Sequence, residues 1–189
     1  MKKAFLICAI VLTVAGCRKE EEPRRKPDAE IPEVKELMTL PDHPSEEDDI
    51  FIVANGGIYN ENLWKEFLEK TGNGEESRLI IACYTIEGDV IYKLIEYDKT
   101  LYTMYCDNSR DSFGVFSEIV DTGKYIYDLD YLSEEEIDGT VATFRNHYGF
   151  LSDTFYENRE ELRDAFEKMR QGEETGLIFI FGDSRRNAK

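Results

Sequence analysis

The chain has 189 residues, of which 41% are hydrophobic and 33% charged, and its formal net charge is −17. This length accommodates one globular domain with appendages and excludes two full-sized enzyme domains. Because binding to a phosphate backbone requires Lys and Arg to displace counterions, the acidic charge argues against nucleic acid as a partner. Aromatic residues make up 12% of the chain, more than a wholly disordered acidic protein carries.

The N-terminus has the layout of a secretory signal peptide. Two lysines precede an apolar run over residues 4–14, which is shorter than the roughly 20 residues needed to span a membrane. The segment Val14-Ala15-Gly16-Cys17 resembles the lipobox of bacterial lipoproteins. The resemblance implies that residues 1–16 are cleaved off and that Cys17 carries a diacylglyceryl group. We therefore predict a protein held on the extracytoplasmic side of the cell membrane by the lipid on Cys17.

A spacer follows the anchor. Residues 17–49 contain all five prolines of the chain together with 12 acidic and 6 basic residues, a composition that we describe as rich in Pro, Glu and Lys. Proline stiffens a chain toward polyproline II and like charges extend it, so this segment is predicted to be a disordered tether. The spacing of Val34, Leu37, Met38 and Leu40 allows one helical turn within it.

Residues 50–189 are predicted to form a single α+β domain. Residues 50–54 form an apolar strand that ends at Asn55-Gly56-Gly57. A helix follows, with Asn60 as its N-cap and residues 72–74 as its end. The single Trp, Trp64, lies on the apolar face of this helix, which favours a packing role over ligand stacking.

The rest of the domain is predicted to be mostly strand. Three runs, 78–86, 90–97 and 101–106, are joined by connections too short for a parallel crossover, which indicates an antiparallel meander. Runs 115–120 and 124–131 predict a second hairpin, and Ser133 is predicted to cap a short helix through residues 134–136. A helix over 157–170 and a strand over 177–181 complete an antiparallel β-sheet with two main helices packed on one face.

Two helix–turn–strand segments resemble each other. Residues 70–81 align without gaps on residues 168–179, with Lys, Gly, Glu, Glu and Leu at matching positions. This match is consistent with a duplicated unit or with convergence of two short amphipathic helices.

Several short motifs follow one another over residues 49–114. They are Gly57-Ile58 with Asn60 and Phe67, then Tyr84-Thr85-Ile86-Glu87-Gly88-Asp89, Tyr97-Asp98 and Asp107-Asn108-Ser109-Arg110-Asp111-Ser112-Phe113-Gly114. Their order resembles the domain of unknown function 4362, a family found in bacterial surface lipoproteins. The resemblance implies a small α+β module at the cell surface, and it transfers no catalytic residue because the family has no assigned activity.

One segment has the opening spacing of a calcium loop. Asp107, Ser109 and Asp111 place oxygen-bearing side chains at alternate positions, and Glu118 stands where such a loop has its bidentate glutamate. The glycine required at the sixth position is replaced by Ser112. The segment therefore predicts a turn held by Asp and Asn side chains, with a calcium site as the alternative.

The remaining candidates are tyrosines, cysteines and a histidine. Tyr92, Tyr97, Tyr102 and Tyr105 form either a surface patch suited to binding or part of the core. Cys83 and Cys106 fall on the outer strands of the meander, too far apart for a disulfide, so we expect two thiols. His147 is interpreted as a packed or turn residue, with a general base or metal ligand as the alternative.

These observations favour a lipid-anchored extracytoplasmic binding module that acts without catalysis or cofactor. Its expected partners are the membrane, through Cys17, and an envelope protein or peptide bound at a sheet face or hairpin edge. The alternatives are a hydrolase using paired acids such as Asp107 and Asp111, and a calcium-stabilised surface module.

Overall fold

The computed structural model describes residues 31–112, 119–137 and 140–186. We number its elements in chain order. They are α1 Pro32–Met38, β1 Phe51–Ala54, β2 Gly57–Tyr59, α2 Glu61–Gly72, β3 Ser77–Tyr84, β4 Val90–Tyr97, β5 Tyr102–Asp107, β6 Ile119–Gly123, β7 Tyr125–Ile137, β8 Thr140–Ser152, α3 Arg159–Arg170 and β9 Leu177–Arg186. The predicted α+β class is confirmed.

The strands form two sheets where the sequence predicts one. The larger sheet has the order β2-β1-β3-β4-β5-β6, and the smaller sheet has the order β7-β8-β9. The meander of β3, β4 and β5 is antiparallel, as predicted, whereas β1 pairs with β3 in parallel. The short strand β2, which the prediction does not contain, folds back on β1 through Asn55-Gly56.

Two predictions for the centre of the chain are wrong. The strands β6 and β7 do not form a hairpin with each other, because β6 pairs with β5 and β7 pairs with β8. Ser133 does not cap a helix, since residues 133–136 belong to β7 and lie opposite residues 141–144 of β8. The glutamates that suggested the first turn of a helix are instead part of the strand pair of β7 and β8.

The main core lies between the two sheets. Phe51 and Ile81 of the larger sheet, Trp64 of α2 and Phe181 of β9 meet there, each with at most 1% of its surface exposed. Phe181 contacts both Phe51 and Trp64 edge to face, with ring centroids 4.9 Å apart in each pair. On the far side of the smaller sheet, α3 packs through Leu162 and Phe166. The predicted packing role of Trp64 therefore agrees with the structure.

The other face of the larger sheet is covered by α1 and the segment after it. Val34 and Leu37 are fully buried, and Leu37 packs with Ile52 and Leu94. We call residues 32–42 the strap. Because the strap is packed against the sheet, the folded unit begins before residue 50, and the predicted boundary at 49/50 is too late.

Asn60 precedes α2 in a different role from the predicted N-cap. Its φ of 55° is left-handed, and its side chain makes no capping hydrogen bond. The side-chain Nδ2 instead donates to the carbonyl oxygens of Asp48 at 3.1 Å and Ile50 at 2.9 Å. Asn60 thus ties the segment that enters β1 to the start of α2.

Candidate functional site

The predicted calcium residues do not converge on a cation site. The side chain of Asp107 is fully buried, and its Oδ2 lies 2.5 Å from Nη1 of Arg110. Its Oδ1 accepts a hydrogen bond from the backbone N of Ser109 at 3.0 Å. Glu118 lies outside the described residues, as does any contact it makes with Asp111. Within the ranges that the structure describes, no group of three or more His, Cys, Asp or Glu residues is arranged to hold a metal ion.

Arg110 uses most of its guanidinium to fasten the strap. Beyond Asp107, it donates to the carbonyl oxygens of Met38 at 3.0 Å and Leu40 at 2.8 Å, and to Oδ1 of Asp42 at 3.0 Å. The guanidinium carbon lies 5.0 Å from the ring centroid of Tyr92. This arrangement uses the fixed fork of donors that distinguishes arginine from lysine. The loop after β5 is therefore a structural clamp.

The four candidate tyrosines do not form one surface patch. Tyr92 and Tyr105 pack with the strap side of the larger sheet, whereas Tyr97 and Tyr102 pack with the main core side. Tyr92 is fully buried and donates its hydroxyl to the carbonyl of Pro41 at 2.6 Å, and burial raises its pKa to about 12. Tyr102 is also buried and stacks on Tyr97. Of the two alternatives for Tyr92 and Tyr102, a place in the core is correct and a surface patch is wrong.

The thiols of Cys83 and Cys106 are both free, as predicted. The register places β4 between them, since Cys83 lies opposite Ile91 and Cys106 lies opposite Lys93. Burial raises the pKa of both thiols, that of Cys106 to about 11, although the charge of Lys93 acts in the opposite direction. Both groups are therefore protonated at neutral pH and are poor nucleophiles.

His147 belongs to a buried polar contact that the sequence does not reveal. Its Nε2 lies 2.5 Å from Oδ1 of Asp128, and Nε1 of Trp64 donates to the same oxygen at 3.0 Å. The His147 side chain is 6% exposed and that of Asp128 is 35% exposed. Burial acts to raise the pKa of Asp128, but the hydrogen bonds from His147 and Trp64 outweigh it, and the net pKa is lowered.

An ion pair continues this contact along the same face of β7 and β8. Arg145 donates to both carboxylate oxygens of Asp130, at 3.2 Å and 2.8 Å, and lies 3.9 Å from Glu61 at the start of α2. The hydrogen bonds from Arg145 lower the pKa of Asp130. We call the six residues the polar seam: Glu61, Trp64, Asp128, Asp130, Arg145 and His147. The polar seam attaches α2 to the smaller sheet.

Beyond the polar seam, the β7–β8 hairpin extends past the last described residue of β9. That residue, Arg186, lies opposite Phe144, so among the described residues only β7 pairs with residues 140–143 of β8. We call residues 132–137 and 140–143 the arm. Leu132, Ile137 and Val141 are 63%, 40% and 53% exposed, and residues 134–136 are exposed glutamates. The signal in the sequence was Asp138-Gly139, a dipeptide typical of two-residue hairpin turns.

A second surface feature lies at the end of the meander, near the C-terminus of α2. It is a groove of about 720 Å³ to which Lys70, Arg78, Tyr97 and Tyr105 contribute. Arg78 is engaged there, because it lies 2.8 Å from Glu36 of the strap and 3.6 Å from Glu96. The groove therefore has a mixed lining of paired charges and aromatic rings.

The lipid anchor predicted at Cys17 falls outside the described residues. Among the helices of the described part of the chain, none is long and apolar enough to cross a membrane.

The chain was compared with known protein families, curated proteins and solved structures. Residues 47–136 match the family described as "Domain of unknown function (DUF4362)". The match covers the larger sheet, α2 and β7 up to residue 136, whereas the strap, β8, α3 and β9 lie outside it. Comparison with curated proteins and comparison with solved structures found no match.

Proposed function

We propose that this chain is a lipid-anchored binding module on the extracytoplasmic side of a bacterial membrane. Its residues 47–136 match domain of unknown function 4362. The observation that carries the binding role is the arm, which exposes three apolar side chains, Leu132, Ile137 and Val141, over the distal part of the β7–β8 hairpin. Exposed apolar side chains grouped on one projection are typical of a surface that a partner covers. The lipobox-like segment ending at Cys17 supports the anchored location.

The two alternative functions receive less support. A hydrolase that uses Asp107 needs that carboxylate to reach a substrate, but the side chain is fully buried against Arg110. A calcium module needs the same carboxylate as a ligand, and the guanidinium already occupies the position of a cation. Binding through the arm requires no such rearrangement.

The location is tested by fractionating bacteria that express the full chain or its Cys17→Ser variant. We expect the unchanged chain in the membrane fraction, with a mass that shows a diacylglyceryl group on Cys17. We expect the variant, which lacks the acceptor sulfur, to carry no diacylglyceryl group and to keep residues 1–16. Absence of the diacylglyceryl mass from the unchanged chain would contradict the lipid anchor.

The binding role is tested by placing a photo-crosslinking amino acid at position 132 of the full chain in cells. The matched control is position 86, because Ile86 is also an exposed apolar residue, 86% exposed, but lies in the β3–β4 turn away from the arm. We expect a discrete crosslinked product from position 132 and none from position 86. The same products from both positions, or no product from position 132, would remove the support for the arm as the binding surface.

A further inference from the structure

The outer edge of β7 is an unpaired strand edge. In the order β7-β8-β9, β7 is an edge strand of 13 residues, and no strand among the described residues pairs with its outer side. In an antiparallel pair, every second residue of an edge strand directs its backbone N–H and C=O away from the neighbouring strand. Such an edge is a template for strand addition from another chain.

The arm is the part of this edge that lies farthest from the polar seam. From residue 133 to residue 137, β7 lies against residues 140–144 of β8, and the described part of β9 reaches only Phe144. A ribbon of two strands is marginally stable in water, and a third strand completes it. The arm therefore gains most from an added strand, whereas the base of the hairpin is already held by the polar seam.

The side chains of the arm define the charge of its partner. Glu134 and Glu136 alternate with Glu135, so both faces of the strand are acidic, and all three side chains are exposed. No salt bridge involves these glutamates within the described ranges. Opposite charges on directly facing residues stabilise a strand pair, and like charges destabilise it. A second copy of this acidic arm would place glutamate beside glutamate, which disfavours pairing of the chain with itself.

We propose that the arm binds an extended basic segment of a partner protein, which adds to the outer edge of β7 as a further strand. Lys or Arg side chains of the segment face Glu134 and Glu136, and apolar side chains at its alternate positions lie on the opposite face, which carries the exposed Ile137. This inference rests on the binding role proposed above and specifies the chemical class of the partner.

The test uses the full chain and a synthetic peptide of alternating lysine and valine, with binding measured by calorimetry. A lysine–proline peptide of equal charge is the control for strand addition, because proline cannot supply the ladder N–H groups. We expect the lysine–valine peptide to bind and to protect the amides of residues 132–136 from hydrogen exchange. We expect the lysine–proline peptide to bind at least about tenfold more weakly.

Two variants test the role of the glutamates. E134Q/E136Q removes two charges from the arm, and E173Q/E174Q removes two charges from exposed glutamates in the turn between α3 and β9. We expect the affinity for the lysine–valine peptide to fall roughly fivefold to tenfold in the arm variant and to stay within about twofold in the control. Equal losses in both variants, or equal binding of both peptides, would show attraction by net charge and overturn the proposal.

The remaining outcomes separate this inference from the binding role. If the unchanged chain does not bind the lysine–valine peptide and the E134Q/E136Q variant self-associates, the glutamates serve only to prevent pairing at the outer edge of β7. The proposal is then wrong. A crosslink from position 132 together with failure of the peptide would leave the binding role intact and exclude a basic strand as the partner.

Discussion

The ionisation of Asp128 makes the stability of this fold depend on pH in the acidic range. Hydrogen bonds from His147 and Trp64 lower the pKa of its carboxyl group below the usual value of about 3.9. The unfolded chain therefore takes up a proton at a higher pH than the folded chain does. The stabilisation is present above about pH 4 and is lost as the pH falls through the lowered folded pKa.

We expect Asp128→Asn to destabilise the protein near neutral pH by about 1–2 kcal/mol, since a hydrogen-bonded charge is lost and the site is partly exposed. The difference in unfolding free energy between variant and parent should shrink below about pH 4. Urea unfolding over a pH series measures it, with the exposed Asp153→Asn as control. A difference that does not change with pH would show that the Asp128 charge is unimportant.

Arg110 holds the strap by contacts that a lysine cannot reproduce. Arg110→Lys keeps the charge but cannot bond Asp107, Met38 and Leu40 together, so we expect a loss of about 2–3 kcal/mol. Denaturant unfolding checks this value against Arg170→Lys, which alters an arginine exposed on α3.

The same clamp predicts the response to calcium. Because the guanidinium occupies Asp107, we expect the melting temperature of the full chain to be the same with calcium and with chelator. A rise in melting temperature with calcium would instead identify the loop as a metal site.

At the scale of elements, a substitution in α1 tests whether the folded domain begins at the strap. Leu37 is fully buried, so Leu37→Ala should lower the free energy of unfolding by about 2–4 kcal/mol. Lys35→Ala on the exposed face of α1 is the control, with an expected change below about 0.5 kcal/mol. Equal stability of the Leu37 variant and the parent would show that the strap is not part of the folded domain and belongs to the tether.

The elements that the sequence predicts are those fixed by local patterns. The meander follows from short connections, and α2 and α3 follow from apolar spacing with polar ends. The strap was harder to predict, because its prolines and charges are typical of a spacer and only contact with the sheet shows why Val34 and Leu37 are apolar. The hairpin arm was missed because a Ser followed by three glutamates fits a helix start as well as a strand.

The similarity between residues 70–81 and 168–179 has a local physical cause. Gly74 and Gly172 both adopt positive φ, 73° and 85°, just after a helix. In both segments the next backbone N bonds back to a lysine carbonyl, Glu75 to Lys70 at 3.0 Å and Glu173 to Lys168 at 3.1 Å. This is the Schellman helix end, in which glycine is strongly favoured. Shared capping chemistry accounts for the matching Gly without requiring a duplication.

At the scale of the whole molecule, the fluorescence of Trp64 reports whether the two sheets are packed against each other. It is the single Trp of the chain and lies in the core between them, so its fluorescence and the far-ultraviolet circular dichroism should change in one coincident transition. Phe181→Leu should lower both midpoints equally, by about 1–2 kcal/mol in stability. Phe155→Leu, at an exposed position, should move neither. A fluorescence change that precedes the loss of dichroism would show that the two sheets unfold separately.

The position of β9 sets the order of events when the chain is synthesised. Ile180 and Phe181, in the last described strand, fill the core against residues as distant in sequence as Phe51. A nascent chain that leaves the ribosome from its N-terminus can form the meander early, because β3, β4 and β5 are adjacent in sequence. It cannot close its main core until residue 181 has left the ribosome, so the meander exists before the core that covers it.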